Sequence, residues 1–227
     1  KAVWLAMDEE ALKDIVEPDG VMGGFMPTGS GWEIPWADVK DQPGFRRPTP
    51  EDIAEAKKLL AEAGYPEGFS FKWLVRSSSR SYSDLAVIAK AQLEKIGIKS
   101  ELDVQEDAAF WARRLALTWD AMIYPPVSVE MSDPDVILSR FITDSGGNYN
   151  KYSNKKVDEL YDKQSATADP TERKRLVLEI QKLLFEDPAA APVFWRADYA
   201  FHHPEVKGFD NIGLYNGNRL DEVWLAE

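Results

Sequence analysis

Between Thr49 and Tyr124 the chain alternates helix-like and strand-like stretches three times, and this alternation restricts the fold more than any other feature. Thr49 is a good N-cap, Pro50 suits the first helical position, and Glu51 with Asp52 favours the positive end of a helix dipole. Ile53, Ala56, Leu60 and Ala63 then recur at helical spacing, and Gly64 stops the helix as a left-handed cap. "SFKWLVR" reads as a strand. "SDLAVIAKAQLEKIG" reads as a second helix, with Leu85, Ile88, Ala89, Leu93 and Ile96 on one face and Gly97 as its stop. "IKSELDVQ" alternates as a strand should, "DAAFWARRLAL" is a third helix and "WDAMIY" a third strand. Strands separated by helices imply an α/β fold with a parallel or mostly parallel sheet flanked by helices. Sheets of this kind bind ligands beyond the carboxyl ends of their strands. The segment after the third strand, "YPPVSVEMSDPD", is therefore where a site is expected.

The flanking regions differ in character. The chain opens with "KAVWLAMDEEALKDIV", which reads as a helix already under way and predicts a start made by excision from something larger; "EPDG" should end it near Glu17. Residues 18–50 are rich in Gly, Pro and Trp and long for a loop, with Trp32, Trp36 and Phe45 as anchors. The second half reads as helical to about Asp187. Asp133 or Ser132 can cap "PDVILSRFI", Ser153 or Asn154 the next helix, and Asp169 the last, with Pro170 and Glu172 completing a capping-box pattern. "AAPVFWRADYAFHH" looks like one strand or a bent pair. The tail carries Trp224 and Leu225 with little core of its own, so it should dock on another element.

Composition excludes several kinds of chemistry. A net charge of −12 argues against nucleic acid and against an anionic membrane surface. There is no Cys, so disulfides, thiolate metal sites and thiol nucleophiles are ruled out. The two histidines, His202 and His203, are adjacent, and neighbours on an extended segment point in opposite directions. No run approaches a membrane span, and there is no G-x-S-x-G, Walker or dinucleotide loop. "SSSRSYS" could receive an anion at a helix start, but a capped loop is the favoured reading. A hydrolase could use Glu130 and Asp133 as an acid/base pair beside tryptophan platforms. The eight Trp and eight Tyr are residues of the kind that line small-molecule and peptide sites, though most of them are expected to fill the core.

Several segments together resemble the family 5 extracellular solute-binding proteins, the oligopeptide- and dipeptide-binding receptors of bacterial ABC importers. They are "RRPTPEDIAEAKKLLAEAGYPEGF", "AKAQLEKIGIKSELDVQEDAAFWARRL", "SDPDVILSRF", the long "GGNYNKYSNKKVDELYDKQSATADPTERKRLVLEIQKLLFEDPAAAPVF", and the closing "VKGF" and "RLDEVWL". Each motif is weak alone; their shared order and spacing cover nearly the whole chain.

The resemblance implies a periplasmic-binding-protein-like (type II) lobe from the carboxyl-terminal half of a two-lobed receptor. Residues 1–48 would be an incomplete helix and crossing segment from the first lobe, which is absent from this sequence. Residues 49–203 would be the second ligand-binding lobe, and 204–227 a tail returning to the first. The implied function is to bind a peptide or other amine-bearing nutrient between the lobes and deliver it to the permease, without catalysis, metal or cofactor. Family members act in the periplasm or outside the cell, some tethered as lipoproteins. In peptide-binding members an acid shortly before the Asp-Pro pair holds the ligand α-ammonium, and the matching position here is Glu130. Tyr124, Ser132 and Asp133 are the other expected pocket residues. The family's Gly-Trp after the third strand is replaced by "YPPVSV". A ligand-sensing domain is a further reading of the same lobe.

Overall fold

A computed structural model describes residues 1–123, 133–188, 190–191, 194–196, 201–209 and 220–226. The opening helix is two helices, not one: α1 (Ala2–Ala6) and α2 (Glu9–Val16). The break falls at Met7, whose backbone is extended, and Asp8 starts the second helix by accepting a hydrogen bond from Ala11 N–H at 3.0 Å. Gln92 then clamps Asp8, accepting from its N–H and donating to its carbonyl.

A short helix, α3 (Trp36–Val39), punctuates the Gly- and Trp-rich segment. Its anchors are the expected ones. Phe45 is buried and meets Trp4 and Trp36 edge-on at 5.6 and 5.3 Å. Gly44 makes this possible. It has φ +94°, and a Cβ there would lie 1.4 Å from Trp4 Nε1.

The alternating region folds as its pattern requires. Helix α4 (Pro50–Glu62) begins with a complete capping box between Thr49 and Asp52, an arrangement that contributes about 1 kcal/mol. Arg46 pins the same Asp52 in a bidentate pair. β1 (Ser70–Arg76), α5 (Arg80–Leu93), β2 (Lys99–Gln105), α6 (Asp107–Leu115) and β3 (Ala121–Met122) follow. Gly64 and Gly97 both adopt φ near +90° and terminate the preceding helical segments. The sheet order is β2-β1-β3, and both pairings are parallel. β1 matches β2 over its whole length, from Ser70↔Lys99 to Arg76↔Gln105, whereas β3 pairs only at Trp73↔Ala121 and Leu74↔Met122. The predicted third strand is thus reduced to two residues.

Helices α7 (Asp135–Leu138), α8 (Lys155–Ser165) and α9 (Pro170–Glu186) make up the second half. Asn154, not Ser153, caps α8. Asp169 caps α9, but Glu172 turns outward to Arg175, so the box is half made. Leu176, Val177, Ile180 and Leu184 form the buried stripe of α9. In the predicted strand around Phe194 the described residues show a single antiparallel bridge, Val21↔Trp195. The tail pairs with itself: β4 (Val206–Lys207) lies antiparallel to β5 (Trp224–Leu225).

Three apolar clusters result. One joins α1, α2, α4 and α5 to the sheet; a second joins α7, α8 and α9 to Phe25 and Met26; a third surrounds Trp4 and Phe45. Phe185 links the last two, 5.0 Å from Phe25 and 5.7 Å from Phe45. The space between the first two clusters holds the site.

Candidate functional site

A cleft of about 460 Å³ opens over the sheet face that carries Trp73. This volume is within the ~300–1,000 Å³ typical of small-ligand sites. Its floor is Trp73 with Met122 and Ile123 at the carboxyl end of β3, where an α/β sheet is expected to bind. The first turn of α5 contributes Tyr82, and the turn before β3 contributes Trp119 and Asp120. Ile137 and Arg140, from α7 and the 3₁₀ turn that follows it, form the opposite wall with Tyr149. Phe25 and Phe194 to Arg196 close the remaining side.

The indole N–H groups at the cleft are directed into the protein. Trp73 Nε1 donates to Ser100 Oγ at 3.0 Å, Trp119 Nε1 to Arg114 O at 3.5 Å, and Trp195 Nε1 to Gly24 O at 3.1 Å. Tyr149 is held flat by the Arg114 guanidinium, which sits 3.9 Å from its ring centre and 5.0 Å from that of Trp111. Rim charges are engaged as well. Asp120 Oδ2 accepts from Lys72 N–H at 3.0 Å, and Glu17 pairs with Arg196 at 3.4 Å.

Of the four expected ligand residues, Tyr124, Glu130 and Ser132 lie outside the described residues. Asp133 is described, and its carboxylate is engaged. Arg173 donates to both oxygens at 2.8 Å, and Asp135 N–H donates to Oδ1 at 2.9 Å. The guanidinium beside it holds the Asp133 carboxyl below the usual range, so this residue is a poor proton donor near neutral pH. Asp135 joins the same cluster through Gln164, Ser165 and Arg173. Asp133 therefore fixes the start of α7, and through α7 the cleft wall formed by Ile137 and Arg140.

Sequence reasoning located the end of β3 but named none of Trp73, Tyr82, Trp119, Met122 or Tyr149. Their aromatic abundance was visible. Which rings faced a common cavity depended on how the sheet and α5 packed.

Comparison with known proteins places this geometry. Residues 1–149 match the family described as bacterial extracellular solute-binding proteins, family 5 Middle. The chain is 26% identical over 226 residues to the periplasmic oligopeptide-binding protein OppA of Salmonella typhimurium, covering 95% of this chain and 40% of that protein. It is 31% identical over 167 residues to heme-binding protein A of Haemophilus influenzae, covering 70% of this chain and 30% of that one. Among solved structures, the periplasmic binding protein DppA of Helicobacter pylori in complex with the peptide STSA superposes with a TM-score of 0.76 at 23% identity, covering all of this chain and 43% of that one. The chain thus spans less than half the length of these relatives. They are binding receptors, which disfavours a Glu130–Asp133 hydrolase. The fold is that of type II periplasmic binding proteins, and the chain belongs to the family 5 bacterial extracellular solute-binding proteins.

Proposed function

We propose that this chain is the carboxyl-terminal portion of a two-lobed receptor that binds a peptide or other amine-bearing nutrient and hands it to an ABC importer permease outside the cytoplasmic membrane. The observation that carries this reading is the aromatic cleft at the carboxyl end of β3, on a chain of the family to which OppA also belongs. Residues 49–203 form the second ligand-binding lobe, and 204–227 return to a first lobe beyond this sequence. The receptor works by closure of the two lobes around its ligand, a hinge transition that requires no catalytic group. In this reading Glu130 is the residue that holds the ligand ammonium by a charge-assisted hydrogen bond, and Tyr124 and Ser132 are further ligand contacts. Asp133 contributes by tying the start of α7 to Arg173. Among the described residues no helix is long and apolar enough to cross a membrane.

Native mass spectrometry of the intact receptor, purified without denaturation, tests this reading. A ladder of co-purified peptide masses is expected, and Glu130→Ala should abolish it. A single non-peptide mass, unaffected by that change, would remove both the peptide assignment and the role of Glu130.

A further inference from the structure

We infer that the cleft is a subsite for a bulky apolar side chain of the ligand, aromatic or branched aliphatic, and that it excludes charged side chains. The inference rests on the receptor reading above and specifies what that receptor selects.

Three features support it. The first is what the walls present: mostly apolar surface, with Trp73, Trp119, Met122 and Ile123 facing the cationic Arg140 of the opposite wall. The second is the direction of the indole N–H groups. All three tryptophans at the cleft donate to protein acceptors, Ser100 Oγ, Arg114 O and Gly24 O. A ligand entering there meets ring faces and edges and finds no indole donor to satisfy a polar side chain. The third is the state of the rim. Asp120 already accepts from a backbone N–H, Glu17 and Arg196 neutralise one another, and Arg140 on the opposite wall is engaged as well. A charged ligand side chain would lose its hydration without gaining a free counter-charge from these groups, a penalty that discriminates strongly. An apolar side chain loses nothing by leaving water and gains contact with the rings.

Backbone and ammonium contacts, by contrast, are insensitive to ligand side chains. Selection by this cleft should therefore appear at one ligand position only. The test is calorimetric titration of the intact receptor with alanine tripeptides that carry a single Phe, Leu, Lys or Glu at the first, second or third position. At one position Phe and Leu should bind about tenfold or more tighter than Ala, and Lys and Glu no tighter than Ala. Trp119→Ala should erase that preference by weakening the Phe peptide more than trialanine. Met122→Ala should do the same, and serves if the first variant fails to fold. Equal binding of all side chains at every position would overturn the inference and leave the peptide receptor standing. So would an apolar preference that survives both substitutions. Absence of binding by every peptide would overturn the peptide assignment and the subsite with it.

Discussion

Glu9 is the residue whose environment conflicts most with its chemistry. It is fully buried at the start of α2, and neither carboxyl oxygen finds a hydrogen-bond partner among the described residues. Burial pushes its carboxyl well above the usual range, because the charged form would lose its hydration without compensation. The sign follows from linkage. With a raised folded-state value, the native state holds a proton that the unfolded chain has released, so stability falls as pH rises above about 4. Glu9→Met, similar in volume, should remove that slope and stabilise the receptor at neutral pH by about 1–3 kcal/mol. Urea unfolding at pH 4 and pH 7 checks this. An unchanged slope would show that the carboxylate is paired or hydrated in solution. The sequence offered no warning here. Glu9 stands in an acidic first turn next to Glu10, where a helix dipole would favour both, and only the packing of α2 separates their fates.

At the scale of elements, α7 is the instructive case. It has four residues, too few to be stable by propensity, and its position is imposed from outside. Arg173 of α9 grips Asp133 through two parallel bonds, contacts Asp135 at 3.5 Å, and stacks 5.3 Å from the ring centre of Trp32. The cluster is partly exposed, so Arg173→Met should cost about 2 kcal/mol, less than a fully buried pair. Asp133 has a depressed folded-state value. Its contribution is therefore present above the ordinary carboxylate range and lost as pH falls through the folded value. Arg173→Met should flatten the acid limb of the stability profile. Thermal unfolding between pH 2 and pH 7 measures it, and an acid limb identical to that of the unaltered receptor would refute the role. The sequence announced the caps at Thr49 and Asp169 and narrowed that of α8 to Ser153 or Asn154, because a cap needs only neighbours. The Asp133–Arg173 clamp joins residues 40 positions apart and left no local trace.

At the scale of the whole molecule, the tail ribbon shows a surface without a cover. Trp224 and Leu225 are 58% and 73% exposed on β5, and β4 is the only strand paired with it among the described residues. A two-stranded ribbon with exposed apolar side chains is marginal alone. In the two-lobed arrangement proposed above, this ribbon packs on the first lobe. Hydroxyl-radical footprinting of the intact receptor should find Trp224 protected. Reactivity equal to that of a free indole would mean that the ribbon stays uncovered and that the proposed return of the tail is wrong.

The sequence by itself determined the helix–strand alternation from Thr49 onward, the parallel sheet, most helix boundaries and the family. Periodicity, capping residues and motif order are local properties, written within a few residues of where they act. Only the tertiary structure decided that β3 would be two residues long, that the opening helix would break at Met7, and that Trp73, Tyr82, Trp119 and Tyr149 would face one cleft. Those outcomes depend on contacts between distant segments. The clamp of Asp8 by Gln92 and the stacking of Arg114 on Tyr149 are examples, and burial free energy rather than local propensity selects among such contacts.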